Sequence, residues 1–335
     1  RVGAACTGVA AVAGLLFQLT VWPPPQAPVS TAAVPLPGAG VTASAAPAVA
    51  GATVLGPTPR GNPKGAPVDR VASIVPDPLA VRADLPDVYP HGCVTAYRDA
   101  TVRSCVYGDR DGSYTVALVG DSHAANWLPA LQEVATARRW RLVTYIRSSC
   151  PFFTGEVSVA GRTDDACTEW NTRVRSALTG SERPDLVVTS SLAYVPSRDG
   201  EPVDDDDIED VFADGLRRAW SAVASKRTPV VVLRGIPVFP HNVAECVSQH
   251  PRRLTRCSVD RDRALRAGSG EVQERAARGL RDVELIDLND AVCPTERCAP
   301  VIGGVLVYRD TMHLTATYAR SMAPRLDRAL GALLD

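Results

Sequence analysis

The sequence predicts an α/β domain whose parallel sheet is covered by helices on both faces. Short runs rich in valine, leucine and isoleucine end in small or polar residues, and segments with helical spacing of apolar residues separate them. Parallel strands need such crossover segments, and both faces of their sheet become buried. The 335 residues are 45% hydrophobic and 22% charged, which excludes a wholly disordered chain.

Five strands are predicted in the second part of the chain. They are residues 116–119, 142–146, 186–189, 230–233 and 285–288. A helix is predicted after the first strand, because Trp127, Leu128, Leu131 and Val134 recur at helical spacing, and Pro129 must then lie in the first turn or two.

Two further helices are predicted from charge and spacing. The acidic run 204–207 precedes apolar residues at helical spacing, and carboxylates are favourable at the positive end of a helix dipole. A calcium loop is the alternative for this run, but the glycine and glutamate spacing of an EF-hand is missing. A final helix is predicted after Thr315, where Tyr318, Met322 and Leu326 begin an apolar stripe.

The first 78 residues differ from the rest. Residues 2–22 contain no charge and are long enough to cross a bilayer, so we expect a transmembrane helix there, with Arg1 on the cytoplasmic side and the later residues outside. A cleaved signal peptide is the alternative. Residues 23–78 hold 13 of the 27 prolines among small and polar residues, which predicts a disordered linker. The folded domain is therefore expected over residues 79–335.

Eight of the nine cysteines form four close couples, and Cys6 lies in the expected membrane segment. The couples are Cys93 with Cys105, Cys150 with Cys167, Cys246 with Cys257 and Cys293 with Cys298. We expect each couple to form a disulfide, although eight cysteines allow 105 connectivities. A zinc site is the alternative, but no CxxC pair is present. Disulfides would indicate a compartment outside the cytoplasm. The net charge of −1 gives no reason to expect nucleic acid as a partner.

Two segments contain candidate catalytic residues. Gly120-Asp121-Ser122 follows the first strand, which places Ser122 at the carboxyl edge of the sheet, where α/β proteins bind ligands. Asp121 and Ser122 are equally ordinary helix caps. Near the C-terminus, Asp310 and His313 supply the acceptor and the base that a serine nucleophile requires. His123 follows Ser122 directly and cannot point toward its hydroxyl, so a structural hydrogen bond is expected for it.

These segments resemble the first and last blocks of the SGNH (GDSL-like) esterases and acyltransferases. With the RSSCPFF stretch around Cys150, the CTEWN stretch around Cys167 and YRDTMHLT, they more narrowly resemble the extracytoplasmic SGNH domain fused to acyltransferase-3 membrane proteins of actinobacteria. The resemblance implies a three-layer, flavodoxin-like fold and a triad of Ser122, His313 and Asp310. It further implies transfer of a short acyl group, commonly acetyl, to a hydroxyl of a cell-envelope glycan or glycolipid.

The resemblance also implies partners and a localisation. A membrane-embedded acyltransferase-3 domain in the same polypeptide would use the acyl donor, acetyl-CoA, so that the SGNH domain itself would bind no cofactor and no metal. The protein would be membrane-anchored, with its catalytic domain on the extracytoplasmic side.

The rest of the site is less complete. The backbone N–H of Ser122 would bind the oxyanion, but the GxND motif that supplies a further donor in SGNH hydrolases is missing after the third strand. We expect backbone groups near Ser148 or the hydroxyls of Ser190 and Ser191 to replace it. Among the other residues of the site, Asp121, Arg147, Trp127 and Tyr194 are candidates for substrate binding. Structural ion pairing for Arg147 and core packing for the aromatic residues are the alternatives.

Three other functions stay open at this stage. A carbohydrate esterase would use the same triad with water as the acceptor. Asp121-x-His123 together with Asp310-x-x-His313 also resembles the ligands of a metal-dependent phosphoesterase. A non-catalytic glycan-binding module is the third alternative, although Ser122, Asp310 and His313 are all present.

Overall fold

A seven-stranded sheet forms the centre of the computed structural model, which describes residues 50–181 and 183–334. The strands are β1 (Val94–Thr95), β2 (Cys105–Gly108), β3 (Thr115–Gly120), β4 (Arg141–Arg147), β5 (Glu156–Val159), β6 (Arg162–Thr163), β7 (Leu186–Ser190), β8 (Val195–Arg198), β9 (Glu201–Pro202), β10 (Val230–Leu233), β11 (Val259–Asp260), β12 (Val283–Ile286), β13 (Arg297–Cys298), β14 (Val301–Ile302) and β15 (Val305–Leu306). The α-helices are α1 (Ser122–Ala125), α2 (Leu128–Arg138), α3 (Asp165–Thr179), α4 (Ile208–Ala224), α5 (Val243–Gln249), α6 (Arg261–Arg266), α7 (Gly270–Ala277), α8 (Asn289–Val292), α9 (Ala316–Ser321) and α10 (Ala323–Leu334).

The central sheet is parallel apart from one edge strand. Its order is β1-β4-β3-β7-β10-β12, and β2 pairs with the first half of β4 in the antiparallel direction. The five long parallel strands therefore lie in the order 2-1-3-4-5 along the chain, which is the flavodoxin-like order. The order reverses between β3 and β7, so the crevice at the ends of these strands is the expected ligand site.

Alternate residues of the strands build the two cores. In β3, Val116 and Leu118 face one core, whereas Ala117 and Val119 face the other. Helices α2, α9 and α10 contribute to the first core, and α3, α4 and α7 to the second. A strand with both faces buried reads as a continuous apolar run, which is why these strands could be recognised in the sequence.

The strand predictions agree with the structure for four of the five strands. The fifth ends at Ile286 and begins two residues earlier than we expected. Its end is set by Asp287, whose carboxylate accepts the backbone N–H of Asn289 at 2.8 Å and turns the chain. Leu288 precedes α8 and lies outside the strand.

The helix predictions hold, with one difference at the C-terminus. Pro129 is the second residue of α2, and α4 starts directly after a short 3-10 turn in the acidic run. The single final helix that we expected is two helices, α9 and α10, which separate at Met322. Pro324 explains the break, because proline has no N–H for the helical ladder and its ring excludes the carbonyl four residues earlier.

Residues 50–78 differ from the expected disordered linker, because they pack onto the domain. Ala52 and Leu55 are fully buried in the first core, and Gly65 lies against Pro294 so closely that a Cβ would overlap its ring. Val75 forms a parallel bridge with Val305. The segment is rich in proline and contains few apolar residues that pack on the domain, so its composition did not indicate that it is structured.

The predicted transmembrane segment, residues 1–22, lies outside the described residues, as do residues 23–49 of the predicted linker. Among residues 50–181 and 183–334, none of the helices has the length and apolar character needed to span a bilayer.

Four disulfides connect the cysteine couples in the predicted sequential pairs. They join Cys93 to Cys105, Cys150 to Cys167, Cys246 to Cys257 and Cys293 to Cys298. Each closes a loop of 5 to 17 residues, and closing such loops restricts the unfolded chain. Disulfides persist in oxidising compartments, so this domain fits an extracytoplasmic location.

Candidate active site

The turn after β3 presents Ser122 at the carboxyl edge of the sheet. Gly120 has a φ of +142°, and a Cβ there would lie 2.5 Å from the carbonyl oxygen of Ser190. Glycine is thus required for β3 and β7 to approach each other at this point. Ser122 is the first residue of α1 and is partly exposed. Its backbone N–H has no hydrogen-bond partner among the residues that the structure describes.

Asp121 connects this turn to the segment after β7. One carboxylate oxygen accepts the N–H of His123 at 2.8 Å, the N-cap contact that the sequence allowed. The other accepts the N–H of Leu192 at 2.9 Å and the hydroxyl of Tyr194 at 2.8 Å. Burial raises the pKa of Asp121, against the effect of these hydrogen bonds. Asp121 is fully buried inside the fold. It therefore does not lie on a surface that could bind substrate, contrary to our expectation from the sequence.

A short hairpin around residues 308–314 carries the other two predicted residues. Tyr308 pairs with Leu314 across it, and the Tyr308 hydroxyl donates to the carbonyl of Pro237 at 2.7 Å. The carbonyl of Asp310 accepts the N–H of Val243 at 3.2 Å. These contacts fix the hairpin that carries Asp310 and His313 to the loop after β10 and to the start of α5.

The fold brings Ser122, His313 and Asp310 into one hydrogen-bonded relay. His313 Nε2 lies 2.8 Å from Ser122 Oγ, and His313 Nδ1 lies 2.8 Å from Asp310 Oδ2. Asp310 Oδ1 accepts the N–H groups of Met312 and His313, each at 2.8 Å. Partial burial alone would raise the pKa of Asp310, but the hydrogen bond and charge of His313 and the two N–H groups outweigh it and lower the pKa to about 2.

This arrangement can move a proton along a defined line. With Asp310 ionised, Nδ1 of His313 carries the proton, and Nε2 is left as an acceptor facing the Ser122 hydroxyl. The side chains of His313 and Asp310 are 19% and 35% exposed, so the relay is open to the solvent side. That the three residues act in catalysis stays a prediction at this point.

His123 does not make the structural hydrogen bond that we expected for its side chain. Its ring is 2% exposed, lies 5.4 Å from the His313 ring between centroids, and neither ring nitrogen has a partner among the described residues. Burial lowers its pKa to about 3, assisted by His313, so the ring is neutral at ordinary pH. The side-chain amide of Asn126, one helical turn further on, is equally buried without a partner in the described part of the chain.

The three serines predicted to help Ser122 bind the oxyanion are either already hydrogen-bonded through their backbone N–H or buried. The N–H of Ser148 donates to the carbonyl of Thr95 at 2.9 Å, so it is not free for an oxyanion. Ser190 and Ser191 are each 2% exposed, which closes their hydroxyls to a substrate in this structure. The Ser191 hydroxyl has no partner within residues 50–181 and 183–334.

Arg147 is part of the scaffold and not of a substrate surface. Its guanidinium binds Asp164 in a bidentate pair with distances of 2.9 and 3.1 Å, and its Nε donates to the carbonyl of Asp99 at 2.8 Å. The side chains of Arg147 and Asp164 are 0% and 1% exposed. The structural alternative named for Arg147 in the sequence analysis is therefore the one observed.

The two aromatic candidates differ from each other. Trp127 is 1% exposed and packs in the first core, which is the alternative we named for it. Tyr194 is half-buried, and its hydroxyl donates to Asp121. Burial raises the pKa of Tyr194 well above the usual value, and the neighbouring Asp121 adds to this effect. Only Tyr194 of the pair keeps a surface that a ligand could contact.

Sequence reasoning missed two residues beside the relay. Arg309 lies directly before Asp310, with its Nε 4.0 Å from Asp310 Oδ2, and its guanidinium lies over the ring of Tyr89 at 5.9 Å from the centroid. Burial raises the pKa of Tyr89, against the charge of Arg309. The position of Arg309 within the C-terminal motif was a usable signal, whereas nothing in the sequence pointed to Tyr89.

Two of the possible metal ligands are already hydrogen-bonded within the protein. Asp121 and Asp310 use their oxygens on protein donors, as described above. Among the residues described by the structure, His, Cys, Asp and Glu side chains form no group of three or more that could hold a metal ion.

The flavodoxin-like sheet and the hydroxyl–imidazole–carboxylate relay together define the class of SGNH acyltransferases and esterases. The chain belongs to the family described as "SGNH domain (fused to AT3 domains)", whose family model matches residues 92–328, more than half of its length. No curated protein matches the sequence.

Several solved structures are similar to this chain. One of them is the lipopolysaccharide acetyltransferase periplasmic domain of Salmonella ser. Paratyphi A, with 15% identity, a TM-score of 0.49 and coverage of 66% of this chain and 85% of that one. Another is a GDSL-like lipase of Bacteroides thetaiotaomicron VPI-5482, with 12% identity, a TM-score of 0.37 and coverage of 65% of this chain and 88% of that one. A third is a putative acylhydrolase of Bacteroides fragilis NCTC 9343, with 12% identity, a TM-score of 0.36 and coverage of 68% of this chain and 91% of that one.

Proposed function

We propose that this domain is a serine-dependent O-acyltransferase that passes a short acyl group, acetyl, through an ester on Ser122 to a hydroxyl of a cell-envelope glycan or glycolipid. The observation that carries this proposal is the relay of two 2.8 Å contacts that joins Ser122 Oγ through His313 to Asp310. The family match adds to it, because proteins of this family carry the SGNH domain fused to AT3 domains.

The first half of the reaction loads the serine. Ser122 Oγ attacks the acyl carbonyl while its proton moves to His313 Nε2, and Asp310 stabilises the imidazolium that forms. The unpaired N–H of Ser122 is the first donor for the oxyanion. When the tetrahedral intermediate collapses, His313 returns the proton to the leaving group, and the acyl ester remains on Ser122.

The second half transfers the acyl group. A hydroxyl of the acceptor attacks the Ser122 ester and gives its proton to His313 Nε2, which then returns it to Ser122 Oγ. With water in place of the acceptor, the same steps give a carbohydrate esterase. Serines 148, 190 and 191 do not offer a second oxyanion donor in this arrangement, so turnover by the isolated domain is expected to be slow.

The proposal includes the wider setting of the domain. A membrane-embedded acyltransferase-3 region of the same polypeptide would use acetyl-CoA and deliver the acetyl group, and the SGNH domain would need no cofactor of its own. Residues 1–22 would anchor it, with the catalytic domain on the extracytoplasmic side. The four disulfides support that side of the membrane.

The test is to load the serine and then discharge it. The protein is incubated with p-nitrophenyl acetate, its intact mass is measured, and the acetylated residue is located by peptide mapping. We expect one acetyl group on Ser122 and none in Ser122→Ala, whereas Ser148→Ala, which removes only a hydroxyl, should load like the wild type. An unlabelled Ser122 in folded protein would contradict the proposal. Release of acetate to water only, with no transfer to glycan hydroxyls, would favour the esterase.

A further inference from the structure

A small cavity lies directly beside the relay, on the side of Asp310. It has a volume of about 220 Å³ and is lined by Arg82, Leu85, Asn242, Arg309 and Asp310. Nothing in the triad chemistry uses the first four of these residues. A ligand in this cavity would lie next to the residue whose carboxylate orients His313.

The unpaired groups of the cavity are hydrogen-bond donors. Arg82 is exposed and makes no ion pair or hydrogen bond among the described residues. Asn242 uses its side-chain oxygen to accept the N–H of Glu245 at 3.1 Å, which leaves its NH₂ group free to donate. Asp310 is the only carboxylate of the lining, and both of its oxygens are already hydrogen-bonded within the relay.

The two arginines of the lining differ in what is left for a ligand to bind. Arg309 is 9% exposed, and its Nη1 donates to the carbonyl of Leu314 at 2.7 Å, which holds its guanidinium at the wall. Asp84, the other carboxylate near Arg309, is used by the N–H and hydroxyl of Thr317, each at 3.1 Å. Of the two arginines in the lining, Arg309 lies beside Asp310 and is used within the hairpin, so Arg82 is the one whose guanidinium a ligand can bind.

We propose that this cavity is a subsite for an acidic sugar of the acceptor, whose carboxylate binds the guanidinium of Arg82 and the amide of Asn242. The inference rests on the proposed function and narrows its substrate class to anionic envelope glycans. Arginine suits this role because its planar fork of donors matches a carboxylate. Arg309 supplies charge at the wall and stays on its backbone carbonyl.

The test compares acceptors that differ in charge. The 335-residue protein is loaded with acetyl from p-nitrophenyl acetate, and transfer to glucuronate, glucose 6-phosphate and glucose is followed by mass spectrometry. We expect a KM for glucuronate about tenfold below that for glucose. Arg82→Gln should remove this difference, whereas Arg110→Gln should keep it. Arg110→Gln is the matched control, since Arg110 is also exposed and lies in the turn between β2 and β3.

The possible outcomes separate this inference from the proposed function. Equal KM values for glucuronate and glucose, or equal effects of Arg82→Gln and Arg110→Gln, would overturn the subsite. A preference for glucose 6-phosphate alone would replace the carboxylate by a phosphate and so reject the acidic sugar. If Ser122 takes no acetyl group at all, the proposed function fails. Calorimetric titration of the wild type and Arg82→Gln with glucuronate, without an acyl donor, still tests the cavity.

Discussion

Two pairs of charged or polar side chains lie at the carboxyl edge of the sheet, and they differ in how far they are exposed to solvent. Arg147, the last residue of β4, and Asp164, directly before α3, are buried, with side chains 0% and 1% exposed. Asp310 and His313 are partly exposed, and their relay continues to the Ser122 hydroxyl. Similar hydrogen-bond chemistry therefore serves two purposes: the closed pair holds the sheet edge together, and the open pair can exchange a proton with a bound substrate.

The largest expected effect comes from removing the charge of the open pair. Asp310→Asn keeps the size of the side chain but no longer stabilises the imidazolium or fixes the tautomer of His313. We expect kcat for p-nitrophenyl acetate to fall by about 10³ to 10⁴-fold. The measurement is a steady-state assay at pH 7 on protein shown by circular dichroism to be folded. A loss of less than tenfold would mean that the carboxylate does not orient the base.

The low pKa of Asp310 predicts how the activity and stability of the wild type depend on pH. The pKa of Asp310 is about 2, so its carboxylate is ionised at any pH above 4. We therefore expect that the acid limb of the wild-type rate profile, if it lies above pH 4, does not arise from protonation of Asp310. Its stabilising effect on the fold is present above the usual carboxyl pKa of about 4 and is lost as the pH falls toward 2.

The closed pair should affect stability and not chemistry. Asp164→Ala leaves the Arg147 guanidinium buried without its partner, and we expect a loss of about 3 to 5 kcal/mol in the free energy of unfolding. Urea denaturation measures this loss, and kcat per folded molecule should remain close to that of the wild type. Asp327→Ala is the matched control, because it breaks a surface ion pair with Arg138. The side chains of Arg138 and Asp327 are 29% and 42% exposed. That change should cost about 1 kcal/mol or less.

A double replacement separates charge from packing at the closed pair. Arg147→Met with Asp164→Leu removes both charges while keeping much of the volume, and we expect it to be more stable than Asp164→Ala. If the double variant is as unstable as the single one, the backbone contacts of Arg147 with Asp99 and Ser148 carry the stability instead.

The third expected effect concerns His123, which packs beside the open relay. Its pKa is about 3 in the folded protein, against about 6.5 in an unfolded chain, so the unfolded state binds the proton first. Stability is therefore full above about pH 6.5 and declines as the pH falls toward 3. Between pH 7 and 4.5 the wild type should lose about 2.5 kcal/mol from this source.

His123→Phe should remove this part of the pH dependence. Asp121 and Asp310 titrate in both proteins, so their contributions cancel in the difference between wild type and variant. Urea denaturation at pH 7 and at pH 4.5 gives that difference directly, and the value at pH 7 measures the packing cost of the new ring. An identical pH dependence in both proteins would show that His123 becomes charged in the folded state.

The sequence predicted both residues of the open pair, whereas for the closed pair it suggested an ion pair of Arg147 and gave no sign of its partner Asp164. Gly120, Asp121 and Ser122 are neighbours in the chain, and Asp310 and His313 are three residues apart. Their contacts are local, so short sequence motifs can identify them. Arg147 and Asp164 meet through the fold, 17 residues apart, and no local pattern marks Asp164. For the same reason Ser148, Ser190 and Ser191 were plausible oxyanion donors in sequence, although their surroundings in the structure close them off.

The smallest expected effect concerns the contact between Tyr194 and Asp121, beside the open pair. Tyr194 donates its hydroxyl to Asp121 Oδ2, and this contact ties the segment after β7 to the turn that carries Ser122. Tyr194→Phe removes one of three hydrogen bonds to a buried carboxyl group, so the pKa of Asp121 should rise further and the protein should lose about 1.5 kcal/mol. Because the N–H groups of His123 and Leu192 still hold Asp121, kcat should change less than threefold. Urea denaturation with the steady-state assay measures both quantities. A large loss of kcat at unchanged stability would instead place the Tyr194 hydroxyl in contact with the substrate.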